Sequence, residues 1–295
     1  MNKYIYKMDK YKLNTLAFIL VITCIIIGCN DNNNVPIPIP EKEEDIIDDS
    51  EIRFHDDFEG SFVPNSSNEV YDQWYKSGWS AGGYIKPSSE IEPREGSKSV
   101  EVKLVANENG KSRSEIGVNL KNSLGDYWAG FSVYIPSDID MSKMVLDRDE
   151  FVCVIAQWGV WENNPSLPDF AVRMGRENGE DKFYLTYEPL PESKILYLWD
   201  SPLIQGEWVD WVVHIKWAKN DSGVFEVWQN GEKVFSKTDF QSTDGDGSDV
   251  KSKIGMYYSS WGNRQREYDE VKIYFDDFTI AKGQDMYDEV KPGND

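Results

Sequence analysis

Three short stretches of this chain set polar residues at alternate positions among apolar neighbours. They are Arg113-Ser114-Glu115-Ile116-Gly117, Val154-Ile155-Ala156-Gln157-Trp158-Gly159 and Lys253-Ile254-Gly255-Met256-Tyr257-Tyr258. On an extended strand alternate side chains share a face, so Arg113 would point with Glu115, and Lys253 with Gly255 and Tyr257. Gln157 stands alone in an apolar run, where an amide needs hydrogen-bond partners. Gly255 leaves room for something to lie close against the sheet. If the three strands are neighbours, a guanidinium, an ammonium, an amide, a carboxylate and a phenol converge on one concave surface. Such groups can hold an anion and exchange a proton. Each residue also has a plainer reading: Arg113 with Glu115 as an ion pair, Lys253 as a solvated edge charge, Tyr257 as a core aromatic with a wet hydroxyl.

The elements that must position these residues are strands. After residue 50, helical periodicity is hard to find, while alternation and short aromatic or β-branched runs are frequent. Strand composition marks Ser99 to Val105, Tyr127 to Ile135, Phe151 to Val160, Phe170 to Met174 and Phe183 to Tyr187. It also marks Trp208 to Trp217, Val224 to Gln229, Glu232 to Phe235, Lys253 to Tyr258 and Val271 to Ile280. Asn230-Gly231 is a strong hairpin signal, because both residues tolerate positive φ, and Asn220-Asp221-Ser222-Gly223 marks another reversal. About ten strands in one domain predict two packed antiparallel sheets, an all-β jelly-roll-like sandwich. No amphipathic helices separate the strands, which argues against a βαβ order.

Composition limits the function. Of 295 residues, 40% are hydrophobic and 14% aromatic, enough to bury a sizeable core. The 11 Trp and 16 Tyr point to aromatic core layers, sugar-stacking platforms, or both. A net charge of −21 argues against nucleic acid, and a polyanionic ligand would need a local basic cluster within an acidic whole. No Gly-rich phosphate loop, Cys-x-x-Cys pair or His-Glu-x-x-His occurs, which disfavours nucleotide and zinc chemistry.

The N-terminal segment reads as an address. Lys3, Lys7, Lys10 and Lys12 precede an apolar run from Leu16 to Ile27 that is short for a membrane span. It ends Ile26-Ile27-Gly28-Cys29, which resembles the lipobox of bacterial lipoproteins. That resemblance implies a signal peptide over residues 1–28, acylation of Cys29, and a lipid anchor in the bacterial cell envelope, at the outer membrane. Residues 29–50, rich in Asn, Asp, Glu and Pro, should form an extended acidic tether, leaving 51–295 as one domain. Cys153 is then the one free thiol, a small buried hydrophobe in its apolar run.

The ordered set Arg-Ser-Glu-Ile, Ala-Gln-Trp and Lys-Ile-Gly-Met-Tyr resembles the jelly-roll polysaccharide lyases, in particular the heparin-lyase-I-like and glucuronan lyase group, more distantly the alginate-lyase-like enzymes. Tyr127-Trp128-Ala129-Gly130-Phe131-Ser132-Val133-Tyr134, Gly206-Glu207-Trp208, Val227-Trp228-Gln229-Asn230-Gly231 and Tyr274-Phe275-Asp276-Asp277-Phe278 add to it. The resemblance implies a concanavalin A-like sandwich that cleaves a uronic-acid polysaccharide by β-elimination. It implies that Gln157 and Arg113 bind the uronate carboxylate, that Lys253 assists, and that Tyr257 transfers protons. A phenol, ordinarily protonated at neutral pH, needs neighbouring cations to act as a base, and Lys253 and Arg113 are the candidates.

Two positions depart from the family pattern. The His of the usual Gln-x-His is Gly159, and a further family arginine is Gly117. Either Tyr257 performs both proton transfers, or His214 or His55 supplies the base from elsewhere, or the scaffold binds glycans without cleaving them. A glycoside hydrolase is a further alternative, although no convincing carboxylate pair is spaced along one strand. Glu115, Trp158, Trp161, Tyr258 and Trp261 are candidate substrate contacts. Asp56 and Asp277, at opposite ends of the domain, are candidate ligands for a structural Ca²⁺, although solvated strand-end acids are the plainer reading. The elimination itself needs no cofactor, and a monomer is expected.

Overall fold

The computed structural model describes residues 50–67, 70–121, 124–148, 151–160, 170–188, 195–243 and 249–293. Contacts divide the chain into Met1–Ile46 and Ile47–Asp295. The first unit, with the lipobox at Cys29 and most of the tether, lies outside the described residues.

The described residues form fifteen strands: β1 (Glu51–Asp56), β2 (Trp74–Trp79), β3 (Tyr84–Ser88), β4 (Ser99–Val105), β5 (Ser112–Lys121), β6 (Gly125–Tyr134), β7 (Phe151–Gly159), β8 (Phe170–Glu177), β9 (Glu180–Tyr187), β10 (Leu196–Pro202), β11 (Trp208–Trp217), β12 (Gly223–Gln229), β13 (Glu232–Phe240), β14 (Asp249–Tyr258) and β15 (Glu270–Lys282). A single helical turn, α1 (Tyr287–Val290), comes last. One sheet runs β13-β12-β11-β6-β15-β4-β3, with β1 added against β15; the other runs β10-β9-β8-β7-β14-β5-β2. All these pairings are antiparallel. The fold is the expected jelly-roll sandwich. Asn230 and Gly231 turn the β12–β13 hairpin with φ of 50 and 81, and the Asn220 side chain accepts from the Ser222 N–H at 3.1 Å in the other reversal.

The core lies between the sheets. Phe131 of β6 faces Trp158 of β7 at 6.1 Å, Trp211 of β11 meets Phe183 of β9 at 5.4 Å, and Phe225 of β12 meets Phe170 of β8 at 4.2 Å. Trp158, Trp211, Trp217 and Trp261 are all fully buried, so much of the tryptophan surplus is core. Each aromatic buries on the order of 150–250 Å². Cys153 is also fully buried, and burial pushes its thiol up to about 12, as expected of an inert packing residue. On the outer face of the eight-stranded sheet, α1 and Met286 cover Trp128, Val212 and Ala281.

Candidate active site

The register of three adjacent strands assembles the polar cluster. β14 lies between β5 and β7. Lys253 sits opposite Gly117 on one side and Gln157 on the other, and Tyr257 opposite Arg113 and Val154. Residues paired across a sheet point to the same side, so Arg113, Glu115, Gln157, Lys253 and Tyr257 share one face of the seven-stranded sheet. The opposite parity, Ile116, Val118, Ile254 and Met256, is in the core. Burial of that apolar set fixes the register, because a one-residue slip would turn every charge inward.

Glu115 organises the cluster. Its carboxylate, 1% exposed, accepts from the Gln157 amide and pairs with the Arg113 Nε at 3.0 Å. Glu115 is thus taken up in positioning Gln157 and Arg113, a different place from the substrate contact expected of it. The Arg113 guanidinium lies over the Tyr257 ring, 4.4 Å from its centroid, and the Lys111 ammonium stands 5.9 Å from the same ring. Burial lowers the pKa of Lys253 to about 8, with Glu115 opposing the shift and Arg113 and Lys251 adding to it. Tyr75 of β2 covers Gly117: a Cβ there would come within 2.7 Å of the Tyr75 hydroxyl. At the position of the missing arginine, a second phenol lies against the sheet, its pKa raised by burial and by Glu115.

The structure places the other expected residues differently. Trp158 and Trp261 are fully buried, and the Trp261 indole donates to the Met144 carbonyl at 2.8 Å, so neither is a sugar platform. Alternation explains Trp158: with Gln157 on the open face, its neighbour must point into the core. Trp161 lies outside the described residues. Gly255, with φ of 131, makes room for the neighbouring strand and not for a ligand, since a Cβ there would meet the Ser114 carbonyl oxygen at 2.2 Å. His214 belongs to β11 in the other sheet, where it stacks on Trp128 at 4.0 Å and is held by Asp126 at 2.8 Å and Glu226 at 3.1 Å. His55 lies on β1, against Thr279 at 2.9 Å. Neither histidine reaches the cluster, so His214 is not part of this site. The Asp56 oxygens accept from the Phe58 N–H at 2.7 Å and the Trp74 indole at 2.6 Å, and Asp277 accepts from the Gly293 N–H at 2.8 Å. These hydrogen bonds close loops, and among the described residues no group of three or more His, Cys, Asp or Glu side chains could hold a metal ion.

A cleft of about 340 Å³ extends from Tyr257 and Tyr258 over β7, β8 and β9, lined also by Arg148, Arg173, Arg176, Tyr184 and Tyr197. Tyr258 borders this cleft but has the core-facing parity, is 7% exposed and packs in the hydrophobic core, unlike the open sugar platform expected of it. The arginines form the basic cluster that an anionic ligand would need. Tyr197, 57% exposed at the rim, offers an open ring where the buried tryptophans do not. Sequence reading missed Arg173 although its signal matched that of Gln157: one polar residue within an apolar strand.

An all-antiparallel two-sheet sandwich thus carries cations, an amide and a tyrosine on adjacent inner strands of one open face, groups that can hold an anion and exchange a proton. The chain belongs to the polysaccharide lyase family, whose model matches residues 68–279, and is a polysaccharide lyase. In fold it is similar to the endo-β-1,4-glucuronan lyase of the fungus Trichoderma reesei, with a TM-score of 0.59 and 17% identity over 80% of this chain and 99% of that one. It is also similar to the alginate lyase Aly36B, solved with an alginate trisaccharide, with a TM-score of 0.51 and 15% identity over 79% of this chain and 98% of that one. A search of the curated proteins finds no match.

Proposed function

We propose that this chain is a lipid-anchored lyase that cleaves a glucuronate-containing polysaccharide by β-elimination, with Tyr257 moving the proton. The observation that carries this reading is the register that sets Tyr257 against Arg113, with Lys253 two same-face positions along β14 and Gln157 opposite Lys253 on β7. Arg113 and the second amide hydrogen of Gln157 take the carboxylate on C5, and Lys253 adds charge. Neutralising that carboxylate acidifies H5 and stabilises the enediolate formed when Tyr257, as phenolate, removes the proton. The C4–O bond then breaks, Tyr257 returns the proton to the leaving oxygen, and the new chain end carries a C4=C5 double bond. Water takes no part.

In glucuronate H5 and O4 lie on the same side of the ring, so one tyrosine can serve both transfers. That supports glucuronate in a site where Gly159 replaces the family histidine and His214 is remote. The likeness in fold to a glucuronan lyase points the same way. Cys29 carries the acyl anchor, and the tether of residues 29–50 holds a monomeric domain at the outer membrane. The test is to incubate the purified protein with glucuronan, alginate, heparin-type glycans and ulvan. Ultraviolet absorbance from 4,5-unsaturated ends is expected with at least one glucuronate polymer. New reducing ends without that absorbance would mean hydrolysis, and binding without either would mean a non-catalytic glycan-binding protein.

A further inference from the structure

Beyond the three strands of the cluster, the same level of the sheet continues across β8 and β9. Arg113, Tyr257, Val154, Arg173 and Tyr184 are successive register partners on β5, β14, β7, β8 and β9. Arg173 therefore lies on the open face, two strand spacings or ~10 Å from Tyr257, in the floor of the same cleft. It is 7% exposed. Its Nε donates to the Thr186 hydroxyl at 2.9 Å and one Nη2 hydrogen to Glu188 at 2.6 Å. Glu188 is itself 3% exposed. Nη1 has no partner among the described residues, so the guanidinium is clamped along one edge and keeps donors for the cleft.

A buried ion pair is a poor stabiliser, because desolvating two charges offsets their attraction, and an apolar pair of similar volume would pack as well. Burial here works against both charges, holding the Glu188 carboxyl above its ordinary range. What the pair does provide is a fixed, planar fork of donors, the geometry that suits a carboxylate or a sulfate ester. In a chain of net charge −21, an acidic polymer also needs compensating cations along its whole track.

We infer that Arg173, held by Thr186 and Glu188, is a second anion-binding subsite that takes the acidic group of a sugar unit away from the scissile bond, so that the substrate carries an acid group there as well as on the unit being cleaved. In a site that eliminates at Tyr257, as proposed above, this makes Arg173 a determinant of specificity and Glu188 and Thr186 its positioning residues. Arg148 and Tyr197 border the same cleft, as does Arg176, which pairs with Asp181.

The test compares the wild-type chain with the double variant Arg173→Met/Glu188→Met, which removes both charges together and leaves neither buried alone, and with Arg173→Lys, which keeps the charge but loses the fork. Rates of double-bond formation are measured on glucuronate oligosaccharides of increasing length. The wild type should gain ~10-fold or more in kcat/KM once a unit reaches Arg173, the order expected of a hydrogen bond to a charged group. The double variant should lose that gain through KM, match the wild type on shorter chains, and melt no lower; Arg173→Lys should fall between. Matched oligosaccharides with the outlying unit carboxylated, sulfated or reduced to the alcohol then identify the anion as the group whose gain Arg173 supplies. Equal length dependence in wild type and double variant would reduce Arg173 and Glu188 to a structural ion pair and overturn the inference. If the wild type forms no double bonds, the elimination reading fails on its own. The inference is then read from oligosaccharide binding by titration, where ~10-fold weaker binding in the double variant supports it and unchanged or undetectable binding overturns it.

Discussion

Glu115 has both carboxylate oxygens committed, one to Gln157 and one to Arg113. It thereby fixes the two groups proposed to meet the substrate carboxylate, and its charge also sustains the ammonium of Lys253. Glu115→Gln should lower kcat by ~10²-fold through misplacement of Arg113 and Gln157. It should also move the alkaline limb of the pH–rate profile to lower pH, because the negative charge that raises the Lys253 pKa is gone; a purely structural role would leave that limb in place. Lys253 supports a second prediction. With its folded pKa at about 8, the site loses a cation as pH rises through that value, and kcat/KM should fall there. For stability the sign is reversed. Between about 8 and the ordinary lysine value near 10.4, the unfolded chain binds more protons than the folded one, so stability rises with pH across that window. Lys253→Met should remove both the alkaline fall in activity and the alkaline rise in stability, checked by pH–rate profiles and by urea denaturation at several pH values.

At the scale of elements, the site depends on how β14 is accommodated between β5 and β7. Its pairing with β7 shifts between Ile254 and Tyr257, and Gly255 sits in that irregularity with its backbone against Ser114 and Glu115. Gly255→Ala combines positive φ with a direct clash, and should destabilise by about 2–4 kcal/mol in denaturant unfolding. Alternation and aromatic runs made the ten long strands legible, together with the Arg113 stretch, and the Asn-Gly hairpin followed from its φ requirements. β1, β2, β3 and β10 were not legible: β1 is mostly charged or polar, the others mix lysine, serine, glycine or proline into their runs, and none has a continuous buried face. Within the site, Arg113, Gln157, Lys253 and Tyr257 could be read because period two assigns each a face. The same rule, applied to Trp158 beside Gln157 or to Arg173 between Val172 and Met174, puts the first in the core and the second in the cleft. What no local pattern could supply was strand order, which carries His214 to the opposite sheet.

For the whole molecule, a net charge of −21 and an arginine-lined cleft favour a substrate guided by a local field. If Cys29 is acylated, Cys29→Ser should release the protein from the membrane fraction and abolish acyl-label incorporation, whereas unchanged fractionation would refute the anchor. The central claim is that this sandwich eliminates with one tyrosine and no histidine. Tyr257→Phe removes a single hydroxyl and keeps the ring beneath Arg113, so the melting temperature should barely move. The most direct measurement is the rate of 4,5-unsaturated end formation by this variant on a polymer that the wild type cleaves. A loss of ~10²–10⁴-fold or more is predicted for a residue acting as both base and acid. Near-full activity in a folded Tyr257→Phe protein would contradict the account.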